Sequence, residues 1–344
     1  MSPKVSVIVP NYNHARFLRQ RLDSIFNQTF QDFEVIILDD CSTDNSKEII
    51  EEFRKHPQVS HIVFNETNSG SPFKQWAKGF DLAQGEYIWI AESDDWAELN
   101  FLDVLTDILR KDDQLGLVYC ESYWEYPNKS IAPSIVQPSS RYNGIEFIKT
   151  KQIINNNIVN ASSVIFCKEF LHQIKTDFQE FKGSGDYLFW SYLCEVSDLY
   201  YCNLFLNHFR QHHSKTTNKC IANGTSFFEN HQIYTYFLNK GYISEFGKYL
   251  AISYVLSEIR EHKNDLKKNN AYELSRVLWS KELKLDTPKS WFLFSKAIYI
   301  NEYKYLSLLG IIWKFFHLPD TNIRKIFHKK KKSKRELNYK KWGF

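Results

Sequence analysis

Three groups of acidic side chains sit where carboxylates can hold a cation or move a proton. The densest is Glu92-Ser93-Asp94-Asp95, directly after the apolar run YIWIA at 87–91. Carboxylates this close repel one another unless donors or a cation offset them. An all-oxygen set suits Mg²⁺ or Mn²⁺, which takes one or two carboxylates together with substrate phosphates. Capping of the next helix accounts for one of the three acids. The second group is Asp39-Asp40, after EVIIL at 34–38. Helix capping explains the following Ser42-Thr43-Asp44. It leaves Asp39 and Asp40 in need of donors or a ligand, such as the N–H of a base. The third is Asp186, which opens a helix-like segment behind Gly183-Ser184-Gly185 and by position alone reads as that helix's cap. After VSVIV at 5–9, the turn Pro10-Asn11-Tyr12-Asn13 presents an aromatic face on which a flat base can stack.

The elements that must position these groups follow from periodicity. Short runs at 5–9, 34–38, 61–64, 87–91 and 117–120 are rich in Val and Ile and apolar on both faces, as in a buried parallel sheet. Between them lie helical patterns. One carries Leu18, Leu22, Ile25 and Phe26 on one stripe, another begins near Ser42, a third holds Phe73, Trp76 and Phe80, and a fourth Phe101, Leu105 and Ile108. Alternating strands and helices predict right-handed crossovers in an α/β, doubly wound sheet, whose ligands bind at the carboxyl ends of the strands. Residues 121–160, with three prolines and Asn155-Asn156-Asn157, read either as plain connecting structure or as an acceptor-side loop. A further strand is expected near 162–167, and a mostly helical pattern from about 225. The expected division is a domain over 1–220, a helical region over 221–320 and a basic tail over 321–344.

Composition narrows the classes. The 344 residues are 43% hydrophobic and 24% charged, which fits a globular chain. Net charge is +4, but residues 321–344 hold ten Lys/Arg against one Glu, leaving a mildly acidic body. Six cysteines without paired spacing are expected to be free thiols, as in a reducing cytoplasm. The sequence predicts neither a secretory leader, since a strand-like run starts almost at once, nor a membrane span. Phosphate-loop, dinucleotide-loop, serine-elbow and zinc-helix motifs are missing, which disfavours those chemistries.

The segments VSVIVPNYNHARFLRQRLDSIFNQTFQDFEVIILDDCSTDNS at 5–46 and NSGSPFKQWAKGFDLAQGEYIWIAESDDW at 68–96 together resemble the family 2 glycosyltransferases of GT-A fold. The resemblance covers roughly the first 215 residues. It implies a doubly wound, mixed and mostly parallel sheet, and inverting transfer of a sugar from a nucleotide-activated donor, UDP being the commonest carrier. By the same resemblance Pro10, Tyr12, Asp39, Asp40, Lys74, Ser93 and Asp94 bind the nucleotide. Asp94, assisted by Glu92 or Asp95, holds Mn²⁺ or Mg²⁺. Asp186 is the base, and Asp95, Trp190, Arg210 and His212 approach donor or acceptor. Two departures are visible: Glu92 is one methylene longer than the usual aspartate, and Lys74-Gln75 stands where many members carry Arg-Asn. The implied partners are a nucleotide sugar and a glycan or lipid-linked acceptor of a bacterial surface polysaccharide. The alternative is a nucleotide-sugar or partner-binding protein without turnover. The basic tail beside YKYLSLLGIIWKFFH at 303–317 is expected either to be a solvated end or to rest on an anionic inner-membrane surface, giving a cytoplasmic, peripherally attached protein. No nucleic-acid-reading module accompanies it.

Overall fold

The structure is a computed structural model that describes residues 2–133, 136–212 and 216–303. The chain divides into two compact units, Met1–Phe294 and Ser295–Phe344. The division expected at 220 falls inside the first unit. The segment at 303–317 and the basic tail lie, but for residue 303, outside the described residues.

The first unit is built on ten strands among the described residues: β1 (Val5–Asn11), β2 (Phe33–Asp39), β3 (Val59–Phe64), β4 (Tyr87–Ile90), β5 (Trp96–Ala97), β6 (Leu115–Tyr126), β7 (Lys129–Ile131), β8 (Ser140–Tyr142), β9 (Val164–Cys167) and β10 (Asp198–Arg210). Their order is β3-β2-β1-β4-β9-β6-β10-β5, with β7 on β6 and β8 on β10. On the main path β9 and β5 run against the other strands, so the sheet is mixed and mostly parallel, as expected. The helices are α1 (Ala15–Phe26), α2 (Ser46–Glu52), α3 (Pro72–Leu82), α4 (Phe101–Arg110), α5 (Gly144–Phe147), α6 (Gly185–Val196), α7 (Thr216–Ala222), α8 (Thr225–Asn239), α9 (Glu245–Glu261), α10 (Lys263–Lys268), α11 (Tyr272–Ser280) and α12 (Pro288–Tyr303).

The two sheet faces follow from alternation. Val7 and Val9 of β1 and Val35 and Ile37 of β2 pack with α1, α2 and α4. Ile8, Ile36 and Leu38 point the other way, onto α3 and α6. Burying both faces explains why these strands read as continuous apolar runs rather than alternating ones. A third core joins α8, α9 and α11 through Phe227, Tyr234, Ile252, Val255 and Trp279.

Two departures matter for the site. Residues 121–160 do more than connect, since β6 runs on to Tyr126 and pairs with β7. The long β10 closes the sheet beside β6, and its pairing shifts register at three places, which bends the strand and re-aims its last residues. All six cysteines are free, and five of them are buried. Among the described residues no helix is long and apolar enough to cross a membrane.

Candidate active site

The carboxyl ends of β1, β2 and β4 bring together the motifs read from the sequence. Pro10 is buried within β1, and Tyr12 just past it is 45% exposed, so its ring is open to a ligand. The chain turns there through Asn13 at φ 56°, and after β2 through Cys41 at φ 64°. These left-handed conformations are costly for residues with a Cβ. They are tied to each other, because Asn13 N–H donates to Ser42 Oγ and the Asn13 side-chain oxygen accepts from Thr43 N–H.

Asp39 and Asp40 solve their repulsion with donors. Asp39 accepts from Asn11 Nδ2 at 2.7 Å and from Ser42 N–H at 2.9 Å. Asp40 is only 5% exposed. Its Oδ1 accepts from Asn65 Nδ2, Ser69 N–H and Gln75 Nε2, and its Oδ2 accepts from Ser69 Oγ. Asp40 therefore organises the 65–75 loop. A base N–H reaching it would share Oδ2 with Ser69. Gln75, at the departure from Arg-Asn, is one of the donors to Asp40. Lys74 beside it is exposed on the first turn of α3.

The acidic group after β4 is likewise compensated from within. Asp95 is buried; its two oxygens accept from Asn160 Nδ2 at 2.8 Å and from Arg210 N–H at 2.9 Å. Glu92 Oε1 accepts from Trp76 Nε1 at 2.9 Å, and burial, reinforced by the charge of Asp94, pushes its carboxyl up to about 8. Arg21 of α1 lies buried below them with Nε on the Glu92 carbonyl at 2.8 Å and its guanidinium over the Trp89 ring. Burial lowers Arg21 to about 10, while the charges of Asp95, Asp94 and Glu92 hold it up.

Of the expected metal ligands, Asp94 lies in a cluster with two histidines. His14, Asp94 and His212 each offer a ligating atom, and these atoms lie within 4.8 Å of one another. His212 Nε2 is 2.8 Å from Asp94 Oδ2, and His14 Nδ1 is 2.9 Å from Ser93 Oγ. Burial lowers the His14 imidazole below its usual range, which favours the neutral, ligating form. Glu92 and Asp95, expected beside Asp94, do not belong to this cluster; Glu92 Oε1 accepts from Trp76, and the Asp95 oxygens accept from Asn160 and Arg210. The donor set fits a divalent cation: one carboxylate and two imidazoles, with Ser93 fixing the His14 ring from behind.

Arg210 donates to the Asp94 carbonyl and to Gln20 Oε1, and its guanidinium lies over the Phe17 ring at 4.3 Å. The bend of β10 gives its end two jobs. Arg210 and His212 face Asp94, while Phe209 and Gln211 line a second cavity, of about 360 Å³, that contains Asp186. The loop at 155–162 links the same two places: Asn156 Nδ2 donates to Asp186 Oδ2 at 2.9 Å, and Asn160 holds Asp95.

Asp186 is carried into that cavity by tight packing. A Cβ on Gly185 would lie 2.5 Å from the Phe73 ring and 2.6 Å from the Phe178 carbonyl oxygen, so only glycine lets α6 start there. The preceding loop is clamped by Glu229 of α8, whose buried carboxylate accepts from the N–H groups of Lys182, Gly183 and Ser184. Burial pushes the Asp186 carboxyl up to about 7. Trp190, one turn further along α6, is fully buried among Trp76, Phe166 and Phe189. It is a core residue, which corrects its reading as a donor or acceptor contact. His14, Arg21, Asn160 and Glu229 escaped the sequence reading. Only His14, adjoining the PNYN turn, carried a local signal.

The family model described as glycosyl transferase family 2 matches residues 6–167. Those residues form a family 2 glycosyltransferase domain. Glycosyltransferase GlyG of Streptococcus pneumoniae is 36% identical over 126 residues, covering 37% of this chain and 41% of that protein. The poly(ribitol-phosphate) beta-N-acetylglucosaminyltransferase TarS of Staphylococcus aureus is 40% identical over 97 residues, covering 27% of this chain and 16% of TarS. The chain thus spans less than half the length of either relative. The crystal structure of TarS 1–349 in complex with UDP-GlcNAc superposes with TM-score 0.54 at 17% identity, covering 86% of this chain and 91% of that one, which establishes the GT-A fold. The family 2 segment contains Tyr12, the Asp39-Asp40 pair and Asp94. Asp186, Arg210 and His212 come from beyond it.

Proposed function

We propose that this protein is an inverting glycosyltransferase that moves a sugar from a UDP-linked donor to a hydroxyl of a glycan or lipid-linked acceptor in building a bacterial surface polysaccharide. The observation that carries the reading is the pairing of two sites through one strand end and one loop. A cation-competent cluster at Asp94 adjoins a cavity in which Asp186, oriented by Asn156, has its carboxyl pushed up to about 7. TarS, whose structures hold UDP-GlcNAc and UDP, supports the choice of nucleotide.

Inversion is one displacement, so one base must take the acceptor's proton on the face opposite the leaving group. Asp186 has the position and basicity for it, and Asn156 fixes its orientation. Tyr12 stacks on the base of the nucleotide. The guanidinium of Arg210 and the exposed ammonium of Lys74 are the positive groups that meet diphosphate charge. His14, Asp94 and His212 would hold a divalent cation, and two imidazoles favour Mn²⁺ over Mg²⁺. Such a cation supplies charge compensation for the departing diphosphate.

Release of UDP from a panel of UDP-sugars, with Mn²⁺ and simple glycoside acceptors, tests the reading. Acceptor kcat/KM is expected to fall about tenfold per pH unit below about 7, where Asp186 is protonated, and to level off above it. No sugar transfer from any UDP-sugar, with nucleotide still bound, would mark a binding protein instead. We further propose that the ten Lys/Arg at 321–344 hold the enzyme to anionic lipid. Each basic group near such a surface contributes about 1 kcal/mol. The full chain is expected to sediment with phosphatidylserine vesicles and a chain ending at Pro319 to stay in solution, and equal partitioning would refute the attachment.

A further inference from the structure

The wall of the Asp186 cavity that faces away from the sheet has a chemistry that proton transfer does not require. Tyr254 and Glu258 lie one turn apart on α9 and both line the cavity. Glu258 is half-buried, and among the described residues no hydrogen-bond donor meets its carboxylate. Burial, with the charge of Glu261 adding to it, pushes that carboxyl up to about 7. Tyr234, 4% exposed, lines the same cavity with its hydroxyl unpartnered. Groups left this way are costly unless something supplies the missing hydrogen bonds.

The rest of the lining says what that something is. Trp124 and Phe209 offer aromatic faces, and Gln211 offers an amide. Among the described residues no lysine or arginine lines the cavity. Its acids are Asp186 and Glu258, and His262 is the one imidazole. An anion entering here would meet two carboxyl groups in a low-dielectric pocket and, among the described residues, no lysine or arginine to offset them. A sugar ring would donate its hydroxyls to Glu258, accept from Tyr234 and lay its apolar face on an aromatic ring. The volume of about 360 Å³ lies at the small end of ligand sites.

We infer that this cavity receives an uncharged, hydroxyl-rich sugar ring of the acceptor and discriminates against a phosphorylated one, with Glu258 as the specificity-determining residue. The inference rests on the glycosyltransferase reading and adds the acceptor's chemical class to it.

The test compares methyl glucoside, methyl galactoside and methyl N-acetylglucosaminide with their 6-phosphates, on the full chain. Binding is read first by saturation-transfer NMR without donor, then transfer is read as acceptor kcat/KM. Wild type is expected to favour the neutral form by at least about tenfold, a binding difference of about 1.4 kcal/mol. Glu258→Lys is expected to cut that preference at least tenfold. The isosteric Glu258→Gln is expected to raise acceptor KM and leave donor KM within about twofold. Wild type that binds or uses the phosphates as well as the neutral sugars overturns the inference. So does a preference unmoved in both variants when their melting curves match wild type. If Glu258→Lys unfolds, Glu258→Gln and the wild-type preference decide. A chain that binds neutral glycosides selectively yet turns over no UDP-sugar would sink the transferase reading and leave the cavity's selectivity standing.

Discussion

Asp186→Asn is expected to lower sugar transfer about 10³-fold while nucleotide affinity stays within about twofold. A positioned base contributes about 10²–10⁴ in rate, and Asp186, held by Asn156, lines the cavity beside the β10 end that carries Arg210 and His212 toward Asp94. The same change has an opposite effect on stability. The carboxyl titrates at about 7 in the folded chain against an ordinary 3.8, so folding favours its protonated form. Stability from this group is whole below about pH 4 and is lost as pH rises through 7. Asparagine copies the neutral form. The variant should therefore melt a few degrees higher than wild type at pH 8, with the gap closing toward pH 4, as thermal melts across that range will show. A rate loss accompanied by lower stability at pH 8 would instead mean that Asp186 holds the fold.

Asp94→Ala is expected to weaken Mn²⁺-dependent nucleotide binding by at least about tenfold in titration calorimetry, and His14→Ala to do nearly the same. Both offer ligating atoms within 4.8 Å of the others in the cluster. Glu92→Gln should leave Mn²⁺ dependence within about twofold, because glutamine still accepts from Trp76 Nε1 and burial, which pushes the Glu92 carboxyl up to about 8, already favours an uncharged group there. The three variants separate the candidate set His14, Asp94 and His212 from the all-carboxylate set that the run Glu92-Ser93-Asp94-Asp95 suggests. Loss of binding in Glu92→Gln with His14→Ala unaffected would restore the latter.

The fold was legible because its main strands are buried on both faces. Val and Ile runs at 5–9, 34–38, 87–91 and 117–120 have few alternatives to a covered sheet, and helical stripes such as Leu18, Leu22 and Ile25 match the face they must cover. The short β5 and the irregular β10 were harder, since two residues carry no period and a bent strand breaks its own alternation. At the site, local motifs marked where ligands gather but not how the charges are balanced. Asp40 takes its donors from Asn65, Ser69 and Gln75, and Asp95 from Asn160 and Arg210. These partners lie 25 to 115 residues away in sequence, and no spacing rule reaches that far. Arg21 is an extreme case: on a helix it reads as a surface cation between apolar residues, yet it is buried under the acidic group. Repulsion among close carboxylates was a sound guide to the place. Its relief came from protein donors and from Arg21 as much as from any cation.

The account stands most directly on the stereochemistry of transfer. A UDP-sugar with an α-linked leaving group, incubated with Mn²⁺ and a methyl glycoside acceptor, should give a first-formed product whose anomeric proton shows the β configuration by ¹H NMR. An α-linked product would contradict a single displacement with Asp186 as its base.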